Sequence, residues 1–513
     1  MTFPPGPHIF DLTEAGGSRQ LLSELAGQFH ILTSAAGRHQ LSYYDTFDWR
    51  LHERKLELVR EKDEFRLQSR DNFTPVATAR VTGRPRFWRE FPEGGLREQI
   101  RPLTKERAVV EVGSIGLRVR DIRILDELEK TVVRLRLEEI DASRPAAGGK
   151  PKRLLSVLPV RGYRKDFHRV VRFLTGAGYS TASTNAFATA VQALGRKAGD
   201  YTSKLRVQLD PAMPAQAAAG VIFRYLLNTI EQNEPGIRDD LDAEFLHDFR
   251  VAIRRTRTGL SQLKGVLPRP MAEAFRGRFG EIGGQTNRLR DLDVYLLRQE
   301  DYRRLLGEDL RPGLCPLFDE LAEERRAAQA AAVRLLDSRP YRDLVEDWRH
   351  TLSDLGTPCL EAKRTREPVI SIARRTISKQ YAGVLRAGQT INENSPAADL
   401  HSLRISCKKL RYLLEFFASL FAAEDTETLV KQLQQLQDNL GDFNDLSVHQ
   451  AELKNFLIQS QAARSTPTAA AIGGLIVNLE SLQRETRKRF SGSFRLFADP
   501  GNRNRFERIF QSG

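Results

Sequence analysis

The feature that most constrains the fold is an internal repeat in the C-terminal part of the chain. Residues 246–257 read LHDFRVAIRRTR and align with residues 400–411, LHSLRISCKKLR, 154 residues later. Residues 291–294 (DLDV) and 445–448 (DLSV) match at the same offset. Two matches in one register indicate a duplication, and its period is far longer than that of the small repeats that build solenoids. The sequence therefore predicts two halves, about 211–355 and 361–500, related by a pseudo-two-fold axis.

The pattern of apolar and polar residues changes at residues 210–214, which read DPAMP. A proline disfavours helix at its own position and at the preceding one, so we place a domain boundary here. Beyond it, apolar residues recur at helical spacing. We predict eight long helices, at roughly 216–232, 242–266, 271–309, 312–337, 361–388, 398–422, 427–458 and 467–490. These helices would form two four-helix bundles.

Each copy of the repeat carries a narrow stripe of a histidine and three cations. The stripe consists of His247, Arg250, Arg254 and Arg257 in the first copy and His401, Arg404, Lys408 and Arg411 in the second. At 100° per residue, each set falls within about 80° on its helix. Arg255 and Lys409 point about 80° away from the stripe, and we include them in the candidate set as flanking cations.

Like charges three or four residues apart on a helix repel each other by a few tenths of a kcal/mol per pair. A stripe that repeats this cost in both copies predicts contact with an anion. Arginine grips phosphate oxygens with a planar fork, and lysine acts as a mobile point charge. The alternative is a solvated helix face, with Asp291 and Asp445 as internal partners, and we assign these two aspartates mainly to structure. Weaker candidates for the same surface are Arg276, Arg374, Lys379 and Lys431.

The first 140 residues have a sequence pattern typical of β-strands. Polar and apolar residues alternate from Lys55 to Arg70, and again in residues 117–120 and 133–138. Alternation with a period of two is typical of half-buried antiparallel strands. The polar side is rich in arginine, so two interpretations stay open: a solvent-facing side of a sheet, or a barrel or tunnel with a charged lumen.

Composition narrows the choice of partners and compartment. The chain has 513 residues, 80 Lys and Arg against 66 Asp and Glu, and a net charge of +14. This balance favours anionic partners. Three distant cysteines form no disulfide framework, and no apolar run is long enough to span a bilayer. We therefore expect a cytoplasmic protein with no membrane partner.

Several other kinds of chemistry have no motif in this sequence. It contains neither GxxxxGK[ST] nor GxGxxG, so no glycine cradle for nucleotides is indicated. His52-Glu53 does not continue to HExxH, and the cysteines and histidines lack zinc spacing. We expect no cofactor and no metal site.

The repeated segments resemble the CHAD family, the conserved-histidine α-helical domain. The matches are His247-x-x-Arg250 with Arg254-Arg255 and His401-x-x-Arg404 with Lys408-Lys409. Residues 289–294 (LRDLDV) and 440–445 (LGDFND) also look like family motifs. The resemblance covers about residues 211–513. It implies a two-fold helical domain that binds inorganic polyphosphate through a basic channel.

The N-terminal part resembles the CYTH, or triphosphate tunnel, family over about residues 20–205. Residues 43–51 read YYDTFDWRL, close to the Tyr-Asp-Thr-Pro-Asp segment of that family. Its catalytic members begin with Glu-x-Glu-x-Lys, which supplies metal-binding carboxylates and a phosphate-binding lysine. This motif is missing here, and Glu64 and Glu138 are the best candidates for inward carboxylates. We therefore expect a degenerate tunnel domain without catalytic residues.

Together these observations predict an α+β protein of two domains. The first would be an antiparallel, tunnel-like or barrel-like β domain, and the second an all-α domain of two related bundles. The predicted function is binding of inorganic polyphosphate. The alternatives are a metal-dependent tri- or polyphosphate phosphohydrolase of the CYTH type and a nucleic-acid binder. Few aromatic residues are interleaved with the stripe, which argues against stacking on bases.

Overall fold

The computed structural model describes residues 7–13, 17–140, 152–355 and 362–510. The chain divides into two compact units, residues 1–203 and 204–513. The first contains an antiparallel sheet and the second is helical, which confirms the predicted α+β class with two domains. None of the helices in the described ranges has the combination of length and apolar character that crossing a bilayer requires.

The first unit is built on a ten-stranded sheet. Its strands are β1 (His8–Asp11), β2 (His30–Thr33), β3 (Gly37–Thr46), β4 (Leu56–Glu61), β5 (Glu64–Ser69), β6 (Pro75–Arg80), β7 (Val109–Leu125), β8 (Thr131–Ile140), β9 (Arg153–Pro159) and β10 (Ser180–Thr181). The strand order is β10-β1-β9-β8-β7-β3-β4-β5-β6, and β2 pairs with β7 beyond the end of β3. All the pairings are antiparallel, as the alternation predicts.

Five helices flank this sheet. They are α1 (Ser18–Gln28), α2 (Arg50–Glu53), α3 (Gly95–Thr104), α4 (Arg164–Gly176) and α5 (Ala186–Gln192). Phe65 and Leu67 of β5 lie on one face, in a core shared with α3. On the same face, α1 and α4 cover the apolar residues of β8 and β9. The short helix α5 packs on the opposite face, so closely that a Cβ atom at Gly113 would lie 2.6 Å from the carbonyl carbon of Ala190.

The face that α5 covers also carries charged residues and is concave. Glu57 on β4 and Glu138 on β8 lie three strand spacings apart, about 14 Å in a flat sheet. Both carboxylates nevertheless add to the effect of burial in raising the pKa of Tyr43, which lies between them. Glu57 also adds to the effect of burial in raising the pKa of Glu138. The sheet therefore bends around Tyr43, and the side that bears Glu57, Arg66, Arg136 and Glu138 faces inward.

Twelve α-helices form the described part of the second unit. They are α6 (Ala215–Arg238), α7 (Ala243–Gln262), α8 (Arg269–Gln285), α9 (Asn287–Leu297), α10 (Gln299–Arg304), α11 (Cys315–Asp337), α12 (Arg339–Asp354), α13 (Val369–Gln389), α14 (Ala397–Phe416), α15 (Ala423–Gln459), α16 (Thr466–Phe497) and α17 (Pro500–Phe510). Short 3-10 turns occur at Trp88–Glu90 in the first unit and at Glu308–Leu314, Ala418–Leu420 and Ala462–Arg464 in the second.

Five of the predicted helices differ from the observed ones, and two observed helices of the second unit were not predicted. The predicted helices 216–232 and 467–490 extend further, to Arg238 and Phe497. The predicted helix 271–309 is broken into α8, α9 and α10. The predicted helix 361–388 begins only at Val369, because Pro368 occupies its N-cap. The predicted helix 398–422 ends at Phe416, followed by a 3-10 turn. The missed helix α12 begins after Ser338, whose side chain accepts a hydrogen bond from the Tyr341 N–H, and buries Trp348. The second missed helix is α17.

The helix starts recur at the offset of the sequence repeat. α6 and α13, α7 and α14, and α8 and α15 each begin 154 residues apart. Two hydrogen bonds near the starts of α6 and α13 are reciprocal. The Ala215 N–H donates to the Glu367 carbonyl and the Val369 N–H donates to the Met213 carbonyl, both at 2.8 Å. The acceptors are also 154 residues apart, so the contact has the form that two-fold symmetry imposes.

Candidate anion-binding site on helices α7 and α14

The two repeated segments form α7 and α14, and their apolar sides fix the direction of the basic stripe. The side chain of Asp242 caps α7 by accepting from the Glu244 and Phe245 N–H groups. Phe249 of α7 and Leu410 of α14 are fully buried. Each helix therefore turns one side into the core, and most of the stripe lies on the remaining surface.

Two cavities lie along this surface. The larger one, of about 670 Å³, is lined by basic and neutral side chains of α7, α14 and α8. The smaller one, of about 300 Å³, lies toward α9 and α15. Both are lined by Arg254, Arg404 and Lys408. We call these three residues the shared cations, because they form the wall common to the two cavities.

Two of the shared cations have a buried donor atom without a partner in the described part of the chain. The Nε atoms of Arg254 and Arg404 are buried and have no hydrogen-bond partner among the described residues. The Lys408 pKa is lowered to about 7, first by burial and then by the Arg404 and Arg254 charges. Asp445 provides partial compensation, since its carboxylate lies 3.5 Å from Arg404 Nη2. A buried donor without a partner costs about 1–3 kcal/mol, and a bound anion would remove that cost.

Arg250 has a different role from its counterpart Arg404. It is buried, and its Nη1 donates to the Gly283 carbonyl at 2.7 Å and to Thr286 Oγ1 at 2.6 Å. Its Nη2 donates to Asn287 Oδ1. These acceptors lie at the break between α8 and α9, where the equivalent helix α15 is continuous. Burial, followed by the Arg254 charge, lowers the Arg250 pKa to about 10.

The structure divides the other candidate residues into two groups. Arg257, His401 and Lys409 line the larger cavity, and His247 lines the smaller one. His401 Nδ1 lies 2.5 Å from Asn444 Oδ1.

Arg255 and Arg411 instead share one carboxylate. Arg255 lies 2.7 Å from Glu415 in an ion pair that joins α7 to α14, and Arg411 lies 2.8 Å from Glu415 within α14. Arg374 and Lys379 on α13 and Lys431 on α15 line neither of the two cavities. The Arg374 Nε atom is buried without a partner among the described residues.

The lining residues that were not singled out from the sequence include Lys264, Arg290 and Asn444, whereas Arg276 was among the weaker candidates. Arg290 and Asn444 are 154 residues apart and stand inside the two family-like motifs, so comparing the copies position by position would have found them. Lys264 follows the end of α7 and has no periodic signal.

In the first unit, the inward carboxylates are Glu138, as predicted, and Glu57, which was not predicted. Burial raises the pKa of Glu57 and raises that of Glu138 to about 7. Glu64 is exposed at the start of β5. Across the described residues, no three His, Cys, Asp or Glu side chains are grouped so that they could hold a metal ion. Mg²⁺ sites that act on phosphates use one or two carboxylates together with substrate phosphates and water, and Glu57 and Glu138 are the carboxylates of the concave face that could contribute.

The fold and the site define the second unit as a helical domain with a basic, partly buried groove. Residues 221–454 match the family model described as the CHAD domain. The crystal structure of the CHAD domain from the plant Ricinus communis is similar at 23% identity and a TM-score of 0.49, covering 57% of this chain and 96% of that one. PptA from Streptomyces chartreusis is similar at 18% identity and a TM-score of 0.41, covering 55% and 100%. No curated protein matches the chain.

Proposed function

We propose that this protein binds inorganic polyphosphate in the two cavities on α7 and α14. One observation carries the proposal: the shared cations Arg254, Arg404 and Lys408 are crowded together between two cavities, and the buried Nε donors of Arg254 and Arg404 have no partner among the described residues. No carboxylate is among the described residues that line the larger cavity, whereas seven cations are. Positive charge is therefore concentrated in the larger cavity.

A linear polyanion fits this arrangement better than a single small anion. The cations extend from one cavity into the next, so successive phosphates of one chain would meet successive side chains. Guanidinium groups match phosphate oxygens in a planar fork, and lysines add point charges. Tyr412 is the aromatic residue that lines the larger cavity, so a row of stacking platforms for bases is not provided by its described lining. The match of residues 221–454 to the CHAD family model supports the same ligand.

The domain assignments belong to this proposal. The helical unit would consist of two related halves, about 211–355 and 361–500, that contribute α7 and α14 to one site. The first unit, about 20–205, would be a degenerate tunnel domain, and the protein would act in the cytoplasm, free or at polyphosphate granules.

A second candidate function is hydrolysis of tri- or polyphosphate in the first unit. The observation that favours it is the inward pair Glu57 and Glu138 on the concave face, with Arg66 and Arg136 on the same face. Phosphate release from tripolyphosphate with Mg²⁺ or Mn²⁺ that disappears in Glu138→Gln would support it. Without such release, the protein would be a binding protein alone.

The test of the main proposal uses the full-length chain with Arg254→Ala, Arg404→Ala and Lys408→Ala combined. A charge-matched control replaces Arg269, Arg326 and Arg339, which are exposed and, within the described ranges, each form an ion pair with an acidic residue three or four positions away. Each lost charge-assisted contact is worth about 1.5–3 kcal/mol, so affinity for long-chain polyphosphate should fall by ~100-fold or more in the triple variant. The control should change it little, and circular dichroism should show both folded. Equal affinities of the two variants would refute the proposal.

A further inference from the structure

A large cavity of the first unit lies on the side of the sheet opposite the concave face. Its volume is about 1140 Å³. Strand alternation directs Arg38, Gln40 and Ser42 of β3 to this side, whereas Tyr43 lies on the concave side. Helices α1 and α4 cover one end of this outer face and α2 and α3 cover the other. The middle remains open, and we call it the outer cleft, lined by Arg38, Gln40, Ser42, Arg60, Glu111 and Arg118.

A row of charged residues crosses four strands on the floor of the outer cleft. Arg38 of β3 is the direct cross-strand partner of Arg118 on β7. Arg118 is the partner of Glu139 on β8, and Glu139 is the partner of Arg153 on β9. Like charges directly opposite in an antiparallel pair destabilise the sheet. Arg118 pairs with Glu139, and Arg38 opposite it has no carboxylate partner in the described part of the chain, so the facing pair Arg38 and Arg118 carries an excess of positive charge.

The carboxylates of the outer cleft are already engaged. Glu139 accepts a hydrogen bond from Ser18 and lies 3.8 Å from Arg118. Glu111 accepts from Tyr44 Oη at 3.3 Å and from Ser42 Oγ at 3.4 Å.

The third carboxylate, Glu61, pairs with His39 at 3.0 Å. In contrast, Arg38, Lys62 and Arg84 are exposed and have no carboxylate within 4.0 Å in the described part of the chain. The unpaired charge that faces the cleft is therefore positive.

The dimensions of the outer cleft define the kind of anion it would take. Arg38 and Ser42 are four residues apart on β3, about 13 Å along the strand. Between the arginine row and Arg60, the floor offers neutral donors and acceptors: Gln40 Nε2 donates to Ser114 Oγ at 3.1 Å, and both side chains are exposed. We propose that the outer cleft binds a small phosphorylated compound, with its phosphates at Arg38 and Arg118 and its uncharged polar part over Gln40 and Ser42.

This site is separate from the proposed polyphosphate site and from the concave face. The experiment therefore uses full-length protein that already carries the Arg254→Ala, Arg404→Ala and Lys408→Ala substitutions. Two probes, ATP and tripolyphosphate, are titrated by calorimetry without divalent metal. Binding of both would show that phosphates suffice, and binding of ATP alone would show that the uncharged part also contributes.

The deciding variant is Arg38→Ala with Arg118→Ala, and the charge-matched control is Arg101→Ala with Arg172→Ala, on α3 and α4. We expect the cleft variant to bind at least ~10-fold more weakly and the control to match the parent. Because the cleft variant removes a like-charge pair, its melting temperature without ligand should equal or exceed that of the parent. Arg136→Gln on the concave face should leave binding unchanged.

Three results would overturn the inference. The first is that neither probe binds the parent. The second is that the cleft variant and the control bind equally well. The third is that binding is lost in Arg136→Gln but kept in the cleft variant, which would move the ligand to the concave face.

Discussion

Polyphosphate binding should be coupled to proton uptake at Lys408. Burial and the neighbouring Arg404, Arg254 and Arg411 lower the Lys408 pKa to about 7, against the opposing effect of Asp445. His401 lines the same cavity. A bound polyanion supplies the missing negative charge and raises this pKa. The free protein must then take up a proton when it binds in any buffer near or above pH 7.

The size of the effect follows from the lowered pKa. With a pKa of about 7, Lys408 is about half protonated at pH 7 and about one-tenth protonated at pH 8. If the bound state is fully protonated, uptake is roughly 0.5 proton at pH 7 and roughly 0.9 at pH 8. By linkage, the logarithm of the association constant should fall by the same amounts per pH unit. Affinity therefore weakens as the pH rises from 7 to 8, and changes little below pH 6.

Calorimetric titration in buffers of different ionisation enthalpy measures this uptake directly. Long polyphosphate chains are used because only their terminal phosphates titrate near neutral pH. Lys408→Arg keeps a permanent charge, so it should bind with no uptake at this position. Lys409→Ala removes a lysine from the same cavity and should retain the uptake. Wild-type uptake near zero at pH 8, or full uptake in Lys408→Arg, would refute the reasoning.

Three further predictions concern stability. Arg250→Ala should lower the free energy of unfolding by about 2–4 kcal/mol, because it leaves the acceptors at the α8–α9 break without their donor. Arg404→Ala should instead lower the affinity for polyphosphate and leave the melting temperature nearly unchanged. Equal shifts of the melting temperature in the two variants would contradict this difference in role. Burial raises the pKa of Glu138 to about 7, so its stabilising contribution is present below the unfolded pKa and is lost as the pH rises through about 7. Glu138→Gln should therefore stabilise the first unit by up to about 3 kcal/mol at pH 8 and have little effect at pH 5. A difference in the free energy of unfolding that does not depend on pH, measured by chemical denaturation, would contradict this. Gly113→Ala should lower the free energy of unfolding by about 1–3 kcal/mol, because the new Cβ atom would collide with the backbone of α5. Gly176→Ala should be tolerated, since a Cβ atom there meets nothing within 4 Å. Equal melting temperatures of the two variants would show that α5 moves to make room for the Cβ atom.

The stripe on α7 and α14 could be predicted because helical periodicity alone fixes which side chains share a face. The wheel also separated Arg255 from the stripe, and the structure places it in an ion pair with Glu415. The wheel could not distinguish Arg250 from Arg404, since the difference depends on the break between α8 and α9. It also could not show that Arg411 forms an ion pair with Glu415.

In the sheet, alternation predicted the two faces, and it placed Glu138 on the inner one. The partner carboxylate Glu57 was not predicted, because its position opposite Glu138 depends on the curvature of the sheet. The pairing of Arg38 with Arg118 was equally hidden, since strand register joins residues 80 positions apart in the sequence. Helix α12 was overlooked although its buried residues recur at helical spacing.

The central claim is that the shared cations Arg254, Arg404 and Lys408 contact the phosphates of a polyphosphate chain. The most direct measurement is the affinity of the full-length protein for long-chain polyphosphate at several salt concentrations. Each phosphate contact releases condensed counterions, and nucleic-acid complexes give a slope of about 0.7–0.9 in log affinity against log salt per contact. The triple alanine variant should therefore have a slope shallower than that of the wild type by roughly 2–3, and the exposed-arginine control should keep the wild-type slope. A folded triple variant with the wild-type affinity and slope would show that the anion binds elsewhere.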